Sequence, residues 1–185
     1  MLRRIIAAFL LAVPTGAAFG QTDAAMGDWA LAPLPNGCMV QATSPKGTML
    51  SIWGFAGEDK LAFLLQNRGW DSLRDGASYD LNLDFVGVRT LPVEATARLN
   101  IDSDGPGFYF TMEPGGTSGK GFIEAFTRAT GMSIRQDGES VDTLPLDGGH
   151  GAMAALAYCL ADRWSEDSSA AEGTEEATPA AGTSI

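Results

Sequence analysis

Residues 143–160, with the sequence TLPLDGGHGAMAALAYCL, decide the fold of this chain because they predict a strand, a glycine-rich turn and a helix. Gly148 and Gly149 permit backbone conformations that a β-carbon penalises, and the Asp147 carboxylate can accept hydrogen bonds from the first N–H groups of a helix. Large apolar residues then recur at helical spacing, between alanines small enough to pack closely on a sheet. These large residues are Met153, Leu156, Leu160 and Trp164. The stretch predicts a C-terminal helix packed on a sheet.

The rest of the chain is dominated by strand patterns. The clearest is at residues 78–85, where Tyr79, Leu81, Leu83 and Phe85 alternate with polar residues. Further strands are predicted at 28–34, 38–43, 48–56, 60–66, 93–101, 108–112, 132–135 and 140–146, and a helix at 118–129. Gly131 is suited to end that helix. The fold class is therefore α+β and mainly antiparallel β, with about seven to nine strands in a sandwich or curled sheet and two helices.

The N-terminus has the pattern of a secretory signal peptide. Arg3 and Arg4 precede an apolar run at residues 5–13, and small residues surround an expected cleavage after Gly20. The run is shorter than the roughly 20 residues that a membrane helix needs, and no later segment approaches that length. An uncleaved N-terminal anchor is the alternative. We expect residues 1–20 to be a signal peptide, and the mature chain to be periplasmic or secreted without an integral membrane span.

The mature chain divides into a domain and a tail. Residues 165–185 contain no aromatic or basic residue and bury too little apolar surface to offset their chain entropy, which predicts a disordered acidic tail. Residues 21–164 have the length of a single β-rich domain. The whole chain carries a formal net charge of −11. An acidic surface repels phosphate backbones, so we expect no nucleic-acid partner.

The chain has only two cysteines, Cys38 and Cys159, near the two ends of the predicted domain. In an oxidising compartment a single disulfide between them is the simplest interpretation, and two free thiols are the alternative. In the entropic model, closing so long a loop constrains the unfolded chain by about 4 to 5 kcal/mol. The bond would link the last helix to the first strands. No CxxC motif is present, which disfavours thiol oxidoreductase chemistry.

His150 is the only histidine and the one candidate catalytic residue. Its ordinary pKa lies near neutrality, so it could act as a general base at the start of the predicted helix. No GxSxG motif accompanies it, and a single histidine excludes a multi-histidine metal site. The other interpretation is a polar residue at a helix start. We predict no metal and no cofactor.

Residues 115–121, GGTSGKG, resemble a phosphate-binding loop but differ from it at two positions. Pro114 stands where the motif needs its first glycine, and Gly121 stands where it needs serine or threonine after the lysine. A flexible loop that begins a helix accounts for the same residues.

Aromatic residues supply the candidate binding residues. Core packing explains most of them, but Trp70 lies in a predicted charged loop at residues 68–76 and Tyr109 falls on the polar face of its strand. These two residues are where we would expect an exposed aromatic binding site.

Residues 122–160, FIEAFTRATGMSIRQDGESVDTLPLDGGHGAMAALAYCL, resemble uncharacterised exported bacterial envelope proteins with an LPLxGxxxAxxAL ending. They are more distantly similar to the invasion-associated locus B family, in which a strand leads through a glycine-containing turn into an alanine-rich helix. The resemblance implies an exported β-rich module and supplies no catalytic residue.

The sequence as a whole favours a non-enzymatic interaction or binding module whose partner is an unknown envelope or extracellular protein or ligand. Two alternatives remain open. One is a small envelope hydrolase that uses His150 with acidic residues, and it requires a pocket at the helix start. The other is an inhibitor of an exported enzyme, for which residues 68–76 are the candidate contact loop.

Overall fold

The computed structural model describes residues 26–99 and 105–172, with side chains up to residue 165. The predicted signal peptide, the end of the strand predicted at 93–101 and residues 173–185 lie outside the described residues. The predictions made for them stay predictions.

The described residues form nine strands and two helices, each begun or ended by turn residues. The strands are β1 Ala30–Leu34, β2 Gly37–Thr43, β3 Met49–Phe55, β4 Leu61–Gln66, β5 Ser78–Phe85, β6 Arg89–Arg98, β7 Gly107–Met112, β8 Gly131–Gln136 and β9 Glu139–Pro145. The helices are α1 Thr117–Arg128 and α2 Gly149–Glu172. The α+β class with mainly antiparallel strands is confirmed.

All nine strands belong to one antiparallel sheet, in the order β1-β2-β3-β4-β7-β6-β5-β8-β9. Strands that follow one another along the chain are paired, except β4 with β5 and β7 with β8; instead β4 pairs with β7 and β5 pairs with β8. The sheet curls into a half-barrel, so of the two predicted arrangements the curled sheet is the one found.

The core lies on the concave face of this sheet, where both helices pack. Phe122 of α1 makes edge contacts with Phe63 of β4 and Phe85 of β5, at ring-centroid distances of 4.6 and 5.5 Å. Helix α2 packs on β1, β2 and β3 and contacts α1. The alternation predicted for β5 is confirmed, because Leu81, Leu83 and Phe85 are all buried.

The predicted disulfide is present and attaches α2 to the sheet. Cys38 of β2 is bonded to Cys159 of α2, with 6.1 Å between their Cα atoms and a sequence separation of 121. The next residue of the helix, Leu160, packs directly on Gly54 of β3, where a β-carbon would collide with it. Gly54 is the strand partner of Cys38, so the bond and the packing contact hold the same part of the helix.

Several local predictions differ from the structure. Asp147 is exposed and makes no side-chain hydrogen bond within the described residues; at the start of α2 the backbone N–H of Gly149 donates to the carbonyl oxygen of Leu146 at 2.8 Å. Helix α1 ends at Arg128, its C-cap is Ala129 in extended conformation, and Gly131 already belongs to β8. Strand β6 begins at Arg89, four residues before the predicted start at Val93.

The C-terminal helix is longer than the sequence pattern predicts. Its backbone continues to Glu172, past residue 165 where the disordered tail is predicted to begin. Trp164 fits the predicted helical spacing but is 56% exposed, so the packed face of α2 ends before it.

Candidate functional site

The two faces of the curled sheet differ in what packs on them. Both described helices lie on the concave face, and the opposite, convex face carries the alternate residues of the strands. Six apolar side chains of β2, β3, β4 and β7 are neighbours on the convex face, and we call them the convex patch. They are Met39, Met49, Trp53, Ala62, Leu64 and Tyr109.

Leu64 is the centre of the convex patch. It pairs across the strands with Ser51 and with Tyr109, and Trp53 lies diagonally beside it on β3. Leu64 is 1% exposed although it lies outside the main core cluster, whereas Trp53 and Tyr109 are half-buried. Cross-strand neighbours on one face are within reach of aromatic side chains. The two aromatic residues therefore flank a buried leucine and keep part of their own surface in solvent.

The convex patch adjoins polar residues on the same face. Tyr109 pairs with Thr96 of β6, and beyond it β5 and β6 present Asp80, Asp84 and Glu94 to the convex side. Asp80 stands directly opposite Glu94, and Glu94 accepts a hydrogen bond of 2.6 Å from the Ser78 hydroxyl. The convex face thus carries the convex patch, with Gln41 and Ser51 among its apolar side chains, and beyond it a region rich in carboxylates with Arg135 of β8 beside it.

Trp70 and Tyr109, the predicted binding residues, lie on opposite faces of the sheet. Trp70 packs against Phe108 with 5.2 Å between ring centroids, and Phe108 belongs to the concave core. Tyr109, the next residue of β7, points to the convex side. The structure therefore does not bring them into one site, and the other aromatic residue of the convex patch is Trp53, on the far side of Leu64 from Tyr109. The sequence signal that could have identified Trp53 is that β3 carries apolar residues on both of its faces.

His150 lies in the first turn of α2 and is exposed. Within the described ranges it makes no hydrogen bond or ion pair. It lines neither the surface groove beside α1 nor the one beside the C-terminal part of α2. The structure therefore places no carboxylate or hydroxyl group within hydrogen-bonding distance of its imidazole.

The loop at residues 68–76 is exposed over most of its length but is held at both ends. The N–H of Trp70 donates to the carbonyl oxygen of Asn67, and the N–H of Gly76 donates to that of Ala97. The Asp75 carboxylate accepts a hydrogen bond of 3.1 Å from the N–H of Leu99. The loop predicted here is confirmed; its role as an inhibitory contact stays a prediction.

A buried carboxylate joins β9, at one end of the sheet, to the turn between β2 and β3. Asp142 of β9 is 2% exposed and accepts a hydrogen bond of 2.8 Å from the hydroxyl of Ser44 in the β2–β3 turn. The Ser44 hydroxyl oxygen in turn accepts the N–H groups of Lys46 and Thr48 at 3.2 and 3.1 Å. This network was not predicted, although the alternation of β9 places Asp142 on the same face as Leu144, which is a signal for burial.

The charge state of Asp142 follows from its surroundings. Burial by itself raises the pKa of this carboxyl group. Hydrogen bonds from the hydroxyls of Thr48 and Ser44 act in the opposite direction. The N–H of Thr143 and the charge of Lys46 lower the pKa further, so that it lies below its ordinary value. The Lys46 ammonium is 3.9 Å away and its side chain is 77% exposed, so its contribution is screened by solvent.

The glycines of the GGTSGKG segment have packing roles. Gly116 is the N-cap of α1, and at Gly119 a β-carbon would collide with the carbonyl oxygen of Glu113. At Gly121 a β-carbon would approach the guanidinium of Arg89 to 2.7 Å. The segment begins a helix, as the loop interpretation predicts.

The described residues were also compared with what a metal site and a membrane-spanning helix require. In the part of the chain that the structure describes, no three histidine, cysteine, aspartate or glutamate side chains gather as metal ligands would. None of the described helices combines the length and the apolar character that crossing a membrane requires.

Comparison with protein-family models, with curated proteins and with solved structures finds no match for this chain.

Proposed function

We propose that the protein is an exported, non-enzymatic interaction module that binds its partner through the convex patch. The observation that carries the proposal is the position of Trp53 and Tyr109. Both are half-buried aromatic residues outside the core cluster, on the face opposite the helices. Tryptophan and tyrosine are enriched among the residues that dominate binding energy at interfaces.

Export to the periplasm or beyond the cell is supported by two features. The N-terminal pattern is typical of a signal peptide, and a disulfide is typical of oxidising compartments. The resemblance of residues 122–160 to exported envelope proteins points in the same direction. Mass spectrometry of the exported protein, with Gln21 as the expected first residue, tests this part of the proposal.

The binding test uses a double variant of the convex patch, Trp53→Ser with Tyr109→Ser. Mature wild-type protein immobilised in oxidised form should retain a partner from envelope extract, and the double variant should lose it. Because both side chains are half-buried, thermal unfolding must first show that the variant remains folded.

The matched control is Tyr158→Ser, which removes an aromatic side chain that is 79% exposed on α2, away from the convex face. It should leave retention unchanged. If the double variant retains the same proteins as the wild type, the convex patch is not the binding surface. A substrate turnover that disappears in His150→Ala would favour the hydrolase alternative instead.

A further inference from the structure

A second apolar surface lies where the C-terminal part of α2 passes the turn between β3 and β4. It is a groove with a volume of about 530 Å³. Its lining residues are Phe55, Ala56, Glu58, Leu160, Ala161, Trp164 and Ser165. The volume is in the range of sites that hold a small ligand or a few side chains.

The walls of this α2 groove are large and exposed. Trp164 is 56% exposed and Phe55 is 36% exposed, whereas Trp29 of the core is 4% exposed. Burying an aromatic side chain contributes strongly to binding, and such residues are the usual anchors of an interface. Trp164 and Phe55 therefore both present exposed aromatic surface to one groove.

The floor of the α2 groove is held in place before any ligand arrives. Leu160 packs on Gly54, and the adjacent Cys159 is bonded to Cys38 of β2. On the other side, the ring of Phe55 lies over Gly37, where a β-carbon would come within 2.9 Å of it. A preformed site avoids the entropic cost of ordering its own walls on binding.

The negative charge of the groove and of the chain favours a positively charged partner for the α2 groove. Glu58 is the one charged residue among those lining the groove, and the chain as a whole carries a net charge of −11. A second copy of the chain has the same charge, and the segment at residues 173–185 carries Glu175 and Glu176 and no basic residue. Both are repelled by this surface, whereas a cationic partner is attracted to it.

We infer that the α2 groove binds apolar side chains of a basic peptide segment from another protein, with Trp164 and Phe55 as anchors and Glu58 as the contact for a lysine or arginine. This site is separate from the convex patch and does not depend on the function proposed above.

The test measures fluorescence anisotropy of the labelled peptide Lys-Lys-Leu-Leu-Lys-Lys with oxidised mature protein. Trp164→Ala should weaken binding about tenfold or more, as truncation of an anchor residue does, and Phe55→Ser should weaken it as well. Glu58→Lys should weaken binding of the same peptide through its charge. Tyr158→Ala should leave the affinity unchanged.

Several results would overturn the inference. The first is that the wild type does not bind the peptide, and the second is that Trp164→Ala binds it as tightly as the wild type does. The third is that the wild type binds Lys-Lys-Ser-Ser-Lys-Lys or Glu-Glu-Leu-Leu-Glu-Glu as tightly as Lys-Lys-Leu-Leu-Lys-Lys. Self-association of the wild type that Trp164→Ala abolishes would assign the groove to a second copy. Tighter peptide binding after truncation at Glu172 would assign it to the chain's own C-terminus.

Discussion

Asp142 is the residue whose environment departs most from its sequence pattern, since a carboxylate occupies a buried position of β9. Replacing it with asparagine removes the charge that strengthens the hydrogen bonds from Ser44 and Thr143. We expect Asp142→Asn to lower the free energy of unfolding by about 1 to 3 kcal/mol, because hydrogen bonds to a buried charged group are worth that much. Urea denaturation at neutral pH measures it.

The control for this variant is Asp80→Asn, which changes an exposed carboxylate that is not part of the network. It should change stability by less than about 0.5 kcal/mol. Equal effects of the two substitutions would show that the Ser44–Asp142 contact does not stabilise the fold.

Gly148 shows why the turn before α2 needs glycine. Its φ angle is +81°, and a β-carbon there would collide with the carbonyl oxygen of Met26. The unfavourable φ angle and the collision both involve backbone atoms, and these cannot move aside as the end of a flexible side chain can. We expect Gly148→Ala to destabilise the protein by about 1 to 3 kcal/mol, measured as a shift of the denaturant midpoint.

Gly115→Ala is the matched control for Gly148→Ala, because Gly115 has space around it and no positive φ angle. That substitution should be close to neutral. A neutral result for Gly148→Ala would contradict the account of this turn.

At the scale of elements, α2 depends on a covalent bond as well as on packing. The bond between Cys38 and Cys159 spans 121 residues, and in the entropic model it is worth about 4 to 5 kcal/mol. We expect the double variant Cys38→Ser with Cys159→Ser to unfold at a lower denaturant concentration. In this double variant, the rate of hydrogen exchange should increase more for the amides of α2 than for those of β4 or β7.

Reduction provides the control for the disulfide prediction. A reducing agent should shift the unfolding midpoint of the wild type to that of the double variant and should not affect the variant itself. Two alkylatable thiols in the untreated native protein would contradict the bond.

At the scale of the whole molecule, the Ser44–Asp142 contact connects the β2–β3 turn with β9, which are far apart in the order of the sheet. Because folding lowers the pKa of Asp142, its ionisation stabilises the fold above the carboxyl pKa of the unfolded chain, about 3.9. That stabilisation is lost as the pH falls through the lower pKa of the folded state.

The pH dependence can be measured by comparing wild type and Asp142→Asn. The difference in their free energies of unfolding should be largest at neutral pH and should shrink as the pH is lowered below about 4. A difference that stays constant down to pH 2 would mean that the charge of Asp142 is not involved.

The sequence by itself determined the elements of this protein. Alternation of apolar and polar residues is a local property of a strand, so β5 and most other strands could be predicted with their buried faces. The glycine-rich turn and the alanine-rich segment after it predicted α2, and two lone cysteines predicted its bond to β2. The strands and the helix follow from patterns among neighbouring residues, and the disulfide follows because the chain has only two cysteines.

Only the tertiary structure decided how the elements meet. The pairings of β4 with β7 and β5 with β8 join strands distant in the chain, and nothing in a strand's own pattern names its partner. The pairing of β4 with β7 places Trp53 and Tyr109 on either side of Leu64, whereas Trp70 packs on the opposite face. The curl of the sheet brings Ser44 to Asp142, and the length of α2 brings Trp164 to Phe55. Surfaces built from several strands and a helix are non-local, and for that physical reason they appear only in the folded chain.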